Sequence, residues 1–219
     1  KQYGKYGFSP DLLLKTVDEP LDNLWNSLMK VIESLQAPYK KLTQSIFMAH
    51  KQKIRIMPGS INYPIRGGFL KHLVTTAEMS IDILPYYSTL NKNLVLSGIL
   101  LHDIGKVESI SDDLQAEHTD AGKLIGHCVL GIDILREAAL SFKNFPKEIL
   151  LKLEHIIYTY ESVENSGSLR SSRIPEALFI HYIDSLDKQL NHMLDAVSND
   201  SNSDWTDPHN HFQSELYKK

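Results

Sequence analysis

Leu94-Val95-Leu96-Ser97-Gly98-Ile99-Leu100-Leu101-His102-Asp103-Ile104-Gly105-Lys106 decides how the rest of the chain reads. A nearly apolar run predicts a helix buried on all sides, ending at His102 and Asp103, with Gly105 letting the chain turn away. Neighbouring residues on a helix diverge by about 100°, so His102 and Asp103 can serve one site only at a helix end or bend. An imidazole nitrogen beside a hard carboxylate oxygen suits a divalent ion. On its own the pair also reads as a helix-terminal histidine with a capping neighbour.

Outward from this stretch the pattern is helical. Leu21, Leu24, Leu28, Val31, Ile32 and Leu35 recur at spacings of three and four, with Pro20 as a first-turn residue and Pro38 as the stop. Further helices are expected at about 39–53, 67–85, 92–103, 119–140, 146–160 and 175–197. The breaker-rich Met57-Pro58-Gly59-Ser60-Ile61-Asn62-Tyr63-Pro64 reads as a loop, as do 104–118 and 161–174. Strand-like alternation is nearly absent. The fold class expected is all-α, a helical bundle around a central metal site. Residues 1–20 read as a linker or tail, 21–197 as the helical domain, and 198–219 as a polar C-terminal tail, mobile over Ser198 to His211.

Composition narrows the chemistry. The chain has 219 residues, 42% of them apolar, and 23 basic against 27 acidic residues give a net charge of −4, which offers no reason for tight non-specific nucleic-acid binding. One cysteine, Cys128, excludes an internal disulfide and any multi-cysteine zinc or iron–sulfur site, and suits a reducing compartment. Ten histidines leave imidazole and carboxylate to hold any metal. No signal peptide or membrane span is visible, so a cytoplasmic protein is expected. The start without Met reads as a fragment whose upstream domain is absent.

Gly67-Gly68-Phe69-Leu70-Lys71-His72 lies upstream of the central stretch, and Phe179-Ile180-His181-Tyr182-Ile183-Asp184-Ser185-Leu186-Asp187 downstream. His72, His102, Asp103 and Asp184 thereby spell H…HD…D, which resembles the HD-domain metal-dependent phosphohydrolases. Met57-Pro58-Gly59-Ser60, Asp120-Ala121-Gly122-Lys123-Leu124-Ile125-Gly126-His127, Pro175-Glu176-Ala177 and Leu216-Tyr217-Lys218 carry the likeness further, to the HD half of the YhaM-type 3′-5′ exoribonucleases. The resemblance covers most of residues 40–219. It implies an all-α HD domain, a divalent metal (Mn, Fe, Ni, Co, Zn or Mg) on His72, His102, Asp103 and Asp184, and a phosphate-containing substrate, either a nucleotide or single-stranded RNA or DNA. His127 matches a histidine that binds metal in two-metal relatives, and it reads equally as a core histidine beside Cys128. In that family an oligonucleotide-binding fold precedes the HD domain, and none is expected among these residues.

Two departures stand out. A Ser-His-His-Gly-like segment of the family falls by register on Thr159-Tyr160-Glu161-Ser162, and a His-His before the paired glycines falls on Asn62-Tyr63. With those imidazoles gone, one metal is expected, Glu161 is the carboxylate substitute for a second, and impaired turnover is an open outcome.

Phosphodiester hydrolysis needs an activated water and neutralised phosphoryl charge. Asp103 is the candidate catalytic ligand that also orients the water. Lys106, one turn on, either meets a phosphate or complements a helix end. Arg66, Tyr160, Glu161, Arg170 and Arg173 are candidate substrate contacts. Tyr63, Phe69, Tyr158 and Tyr160 either stack bases or pack the core and rim. From Ser34 to Ala77 there is no acid but seven bases, Lys40, Lys41, Lys51, Lys53, Arg55, Arg66 and Lys71, which suggests a basic approach to the site, balanced by a site-distal acidic segment from Asp187 to Asp207. His155 fits core packing or ligation equally; His118 reads as solvated. His50, His181, His192, His209 and His211 receive no site role, and Asp187 reads as a helix-surface charge. Three functions are compatible: a phosphohydrolase trimming single-stranded nucleic acid from the 3′ end, an enzyme hydrolysing mononucleotides or signalling nucleotides, and a non-catalytic HD domain binding nucleic acid or a protein. Oligomerisation is compatible with each, and no membrane partner is expected.

Overall fold

The fold comes from a computed structural model that describes residues 15–59, 65–111, 116–159 and 172–219. Its order is α1 (Leu21–Ser34), α2 (Tyr39–Ala49), α3 (Lys51–Ile56), α4 (Gly68–Ile83), α5 (Lys92–Leu101), α6 (Lys106–Ser109), α7 (Asp120–Leu140), α8 (Lys147–Thr159) and α9 (Pro175–Asn199), with a 3-10 turn over Leu84–Tyr86 after α4. Among the described residues no strand forms, only isolated bridges at Thr16–Arg66, Ile110–His118 and Trp205–Tyr217. The all-α reading holds.

α5 is the axis of the molecule. Every residue from Leu94 to Leu101 is buried, because α2, α4, α8 and α9 pack around it. Its start is fixed by Asn91, whose side chain accepts the Leu94 N–H. α1 buries Leu24, Trp25, Leu28, Val31 and Ile32, the stripe its spacing predicts. Pro20 sits one position earlier than expected, as the residue before the first turn.

Three boundaries differ from the sequence reading. The helix expected over 39–53 is divided at His50 (φ −105°, ψ 14°), yet the ladder continues, since the His50 N–H donates to Ile46 and the His50 carbonyl accepts from Ile54. Ile54 therefore stays on the buried face begun by Leu42 and Ile46. The loop expected at 104–118 contains α6, whose Val107 and Ser109 are buried. Finally, α7 is broken at Gly126 (φ 77°, ψ 159°), a left-handed position that suits glycine and redirects the helix just before His127.

The polar segment after α9, expected to be a mobile tail, folds back on itself. Thr206 is buried, its N–H donates to the Leu216 carbonyl and its hydroxyl accepts the Leu216 N–H, while the Lys218 ammonium donates to the carbonyls of Asp200 and Asn202. The Asp and Asn residues that suggested mobility instead cap turns. Asp200 accepts the Asn202 and Asp207 N–H groups, Asp207 that of His209, and Asn210 that of Phe212. At the other end, Lys15 and Val17 pair with the Arg66 backbone.

Candidate metal centre

Three parts of the chain bring the four candidate ligands together. His72 comes from the second turn of α4, which starts at Gly67, held at φ 80° where a side chain would also strike Leu21. α5 ends at Leu101, and the turn over 102–105 frees His102 and Asp103 from helical divergence. Asp184 comes from α9. One donor atom from each of His72, His102, Asp103 and Asp184 lies within 4.8 Å of all the others, and the cluster is almost wholly buried.

The hydrogen bonds of the two imidazoles fix which nitrogens point inward. His102 Nδ1 is 2.7 Å from the Ile99 carbonyl, an acceptor, so Nδ1 carries a proton and Nε2 is the nitrogen turned toward the carboxylates. That Nε2 lies 3.2 Å from Asp184 Oδ1 and 3.5 Å from Asp103 Oδ2. His72 repeats the arrangement: Nδ1 is 2.6 Å from Asp187 Oδ2, and Nε2, buried without an aligned hydrogen bond, is 3.0 Å from Asp184 Oδ1. Two imidazole Nε2 atoms and two carboxylates thus converge on one buried spot, two nitrogen and two oxygen donors that become available to a cation once the imidazoles give up their Nε2 protons. Imidazoles anchored at Nδ1 and presenting Nε2 are the form in which histidine binds a metal. Hence the donor set fits a divalent ion.

Charge around the carboxylates is compensated on one side. Asp103 is fully buried; burial would raise its pKa, but Lys106 at 2.6 Å and Lys188 at 3.7 Å from Oδ2 hold it well below the usual carboxylate range. Asp184 is likewise lowered against its burial by hydrogen bonds to His102 and His72. Lys188 also lies 3.3 Å from Asp184, and burial brings its pKa down to about 8 despite these partners. His127 Nε2 stands 3.3 Å from Asp103 Oδ1, outside the four-donor cluster, and although burial alone would lower its pKa, that carboxylate raises it to about 10.

The other expected residues are placed as follows. Lys106 joins the site and also reaches the Gly59 carbonyl at 3.4 Å. Arg66 is held through its backbone to Lys15 and Val17, and Arg173 through its N–H, which donates to His155 Nε2. His155 is thereby tied to the entry of α9 and is not among the four donors. Tyr160, Glu161, Ser162, Arg170, Asn62 and Tyr63 lie outside the described residues. Phe69 is fully buried, hence core. The basic stretch is partly neutralised by acids ahead of it: Lys40 pairs with Glu33, Arg55 with Asp22 and Lys71 with Glu19.

Two corrections concern α9. Asp187, read as a site-distal surface charge, is buried against His72, and Lys188 was not singled out at all. Positions 184, 187 and 188 share one helical face, so the spacing after Asp184 was the available signal.

A family model for the HD domain matches residues 69–189, more than half of the chain and inclusive of all four donors. The chain is similar to the 3′-5′ exoribonuclease YhaM of Bacillus pumilus (strain SAFR-032), 27% identical over 200 residues that cover 90% of this chain and 63% of that protein. It is 26% identical to the protein of the same name from Bacillus subtilis (strain 168) over equal shares, and 27% identical to that of Geobacillus sp. (strain WCH70) over 84% of this chain and 57% of the relative. The chain thus spans less than two thirds of the length of these curated relatives. No solved structure matches.

Proposed function

The chain belongs to the HD domain family, and from that premise we propose that it is a divalent-metal-dependent phosphohydrolase that shortens single-stranded RNA from the 3′ end. The observation that carries the hydrolase is the convergence of His72, His102, Asp103 and Asp184 with Lys106 and Lys188 at its edge. The exoribonuclease assignment draws on the name shared by the relatives. The donor set contains imidazole and carboxylate and no thiolate, which suits Mn, Fe, Co, Ni or Zn over Mg, and four donors suffice for one ion. Such an ion supplies Lewis acidity toward a phosphoryl oxygen and a more acidic bound water.

The chain's own groups do the remaining work. Asp103 stays anionic in its buried position and, with the other three donors, would hold the ion. Lys106 and Lys188 face the charge of a phosphodiester in a site of low dielectric, where fixed cations act strongly. Asp187 holds His72 in the ligating tautomer. His127, 3.3 Å from the second oxygen of Asp103, faces that carboxylate with a nearby positive charge. A cytoplasmic location goes with this reading, as does a nucleic-acid substrate with no membrane partner; among the described residues no helix is long and apolar enough to cross a membrane.

The test uses a 5′-labelled single-stranded oligoribonucleotide with Mn, alongside a panel of mononucleotides. A ladder shortening from the 3′ end is expected, and Asp103→Ala abolishes it together with metal retention. Phosphate release from mononucleotides alone would replace the exonuclease by a nucleotide phosphohydrolase. Failure to bind any divalent ion would leave a non-catalytic HD domain.

A further inference from the structure

α7 departs from helical geometry directly before it reaches the metal centre. Gly126, at φ 77° and ψ 159°, occupies a backbone region open essentially to glycine, and such outliers gather where a ligand is handled. His127 follows, with Nε2 3.3 Å from Asp103 Oδ1. Ahead of the break Leu124 is 83% exposed and Ile125 49%, and no neighbouring atom lies within 4 Å of the place a Gly126 Cβ would take, so the outer surface is open there. Lys123, exposed beside Leu124, forms no ion pair among the described residues. The metal centre opens toward this stretch. His102 and Asp103 are fully buried, whereas Lys188 is 36% exposed and Lys106 and His127 are each 14% exposed, and all three lie against Asp103.

We propose that Lys123, Leu124 and Ile125 seat the penultimate nucleotide of a single strand whose 3′-terminal nucleotide lies at the metal centre: Lys123 meets its phosphate, and Leu124 with Ile125 carries its base. This rests on the reading of the chain as a hydrolase of single-stranded RNA. One cation beside two apolar side chains matches what a nucleotide offers, one negative charge and one flat apolar face. Asp120, the acid at the start of α7, is offset by the positive end of the helix it begins. Four residues separate Lys123 from His127, a span of roughly 6 Å if helical and 13 Å if fully extended, which brackets one nucleotide of a single strand. Leu124 and Ile125 carry no hydrogen-bonding side chain, so the seat accepts any base. It refuses a duplex, whose bases are already stacked on one another. A protein segment folded permanently over these residues would stand across the side on which Lys188 meets solvent.

Fluorescence anisotropy of a 5′-labelled single-stranded oligoribonucleotide, titrated with the full chain in EDTA so that nothing is cleaved, tests this. Leu124→Asn is expected to weaken binding about tenfold. A strand lacking the penultimate base binds the parent more weakly by a similar factor and binds Leu124→Asn no more weakly than the intact strand does. Lys123→Gln lowers the slope of log Kd against log salt by about 0.7, the contribution of one phosphate. Leu140→Asn, at an equally exposed leucine on the far end of α7, leaves Kd unchanged. The replaced side chains are exposed, and an unchanged helical circular dichroism spectrum certifies the fold. A parent that binds no RNA, a Leu124→Asn variant within about twofold of the parent, an unchanged salt slope in Lys123→Gln, or a missing-base effect that persists in full in Leu124→Asn overturns the proposal. Because binding is read without turnover, RNA seated in this way by a chain that cleaves nothing would overturn the exoribonuclease reading alone, and 3′ shortening with binding indifferent to these variants would overturn the seat alone.

Discussion

Asp187 Oδ2 stands 2.6 Å from His72 Nδ1, on the side of the imidazole away from Asp184. This contact decides which nitrogen of His72 faces the cluster, because a carboxylate can only accept and therefore holds the proton on Nδ1. Removing such a partner from a ligating histidine costs about 10–100-fold in metal affinity. Asp187→Ala is expected to weaken Mn binding by that factor in isothermal titration, and Asp187→Asn, whose amide oxygen still accepts, to recover part of it. Affinity within about twofold of the parent in Asp187→Ala would remove Asp187 from this role.

Lys188 opposes the metal and favours the phosphate. Its ammonium lies 3.3 Å from Asp184 and 3.7 Å from Asp103, so a divalent ion on those carboxylates feels a neighbouring positive charge. Lys188→Met should bind Mn about tenfold more tightly, or about 1.4 kcal/mol, while the KM for an RNA substrate rises by a similar factor. Weaker metal binding in that variant contradicts the arrangement.

How far the sequence carried the site can be followed along α9. Asp184 was legible because H…HD…D is a pattern of residue types, and the buried run before His102 was legible because it is apolar on every face. Asp187 and Lys188 were not, since a charged residue on a helix is ordinarily solvated and only the packing of α4 against α9 turns that face inward. The division at His50 and the helix at 106–109 escaped for a related reason: short elements depend on what they pack against more than on their own periodicity. The folded polar segment after Asn199 was hidden by composition, as Asp and Asn signal turns and disorder alike.

Gly105 is required by close approach and not by its backbone angles, which are helical (φ −63°). A Cβ there would fall on the His127 carbonyl oxygen and within 2.5 Å of the Gly131 nitrogen, both backbone atoms of α7 that cannot swing away. Gly105→Ala should destabilise the fold by at least about 2 kcal/mol in urea titration and displace His127 from Asp103. Gly126→Ala is the comparison: nothing lies within 4 Å of its Cβ, and only the backbone at φ 77° and ψ 159°, a region open essentially to glycine, is strained, at about 1–3 kcal/mol. A milder effect at Gly105 than at Gly126 would mean that the two segments separate easily.

Metal-free protein, prepared with a chelator, should have a stability that depends on pH through groups of opposed sign, the imidazoles of His127 and His72 against the ammonium of Lys188. The folded pKa of His127 is raised from 6.5 to about 10, so the folded chain holds a proton that the unfolded chain has lost. Its stabilisation is complete below pH 6.5 and is lost as pH rises through about 10. Lys188 is lowered from 10.5 to about 8, so above pH 8 the folded chain sheds a proton that the unfolded chain keeps, and stability gains with pH. The melting temperature is therefore expected to fall between pH 6.5 and 8, where His127 acts together with His72, whose pKa its carboxylate partners Asp184 and Asp187 raise against its burial, and to level between 8 and 10, where His127 and Lys188 cancel. His127→Gln should flatten the first part, and Lys188→Met should extend the decline toward pH 10. If His127→Gln declines as steeply as the parent between pH 6.5 and 8, the pairing of His127 with Asp103 does not hold the proton in solution.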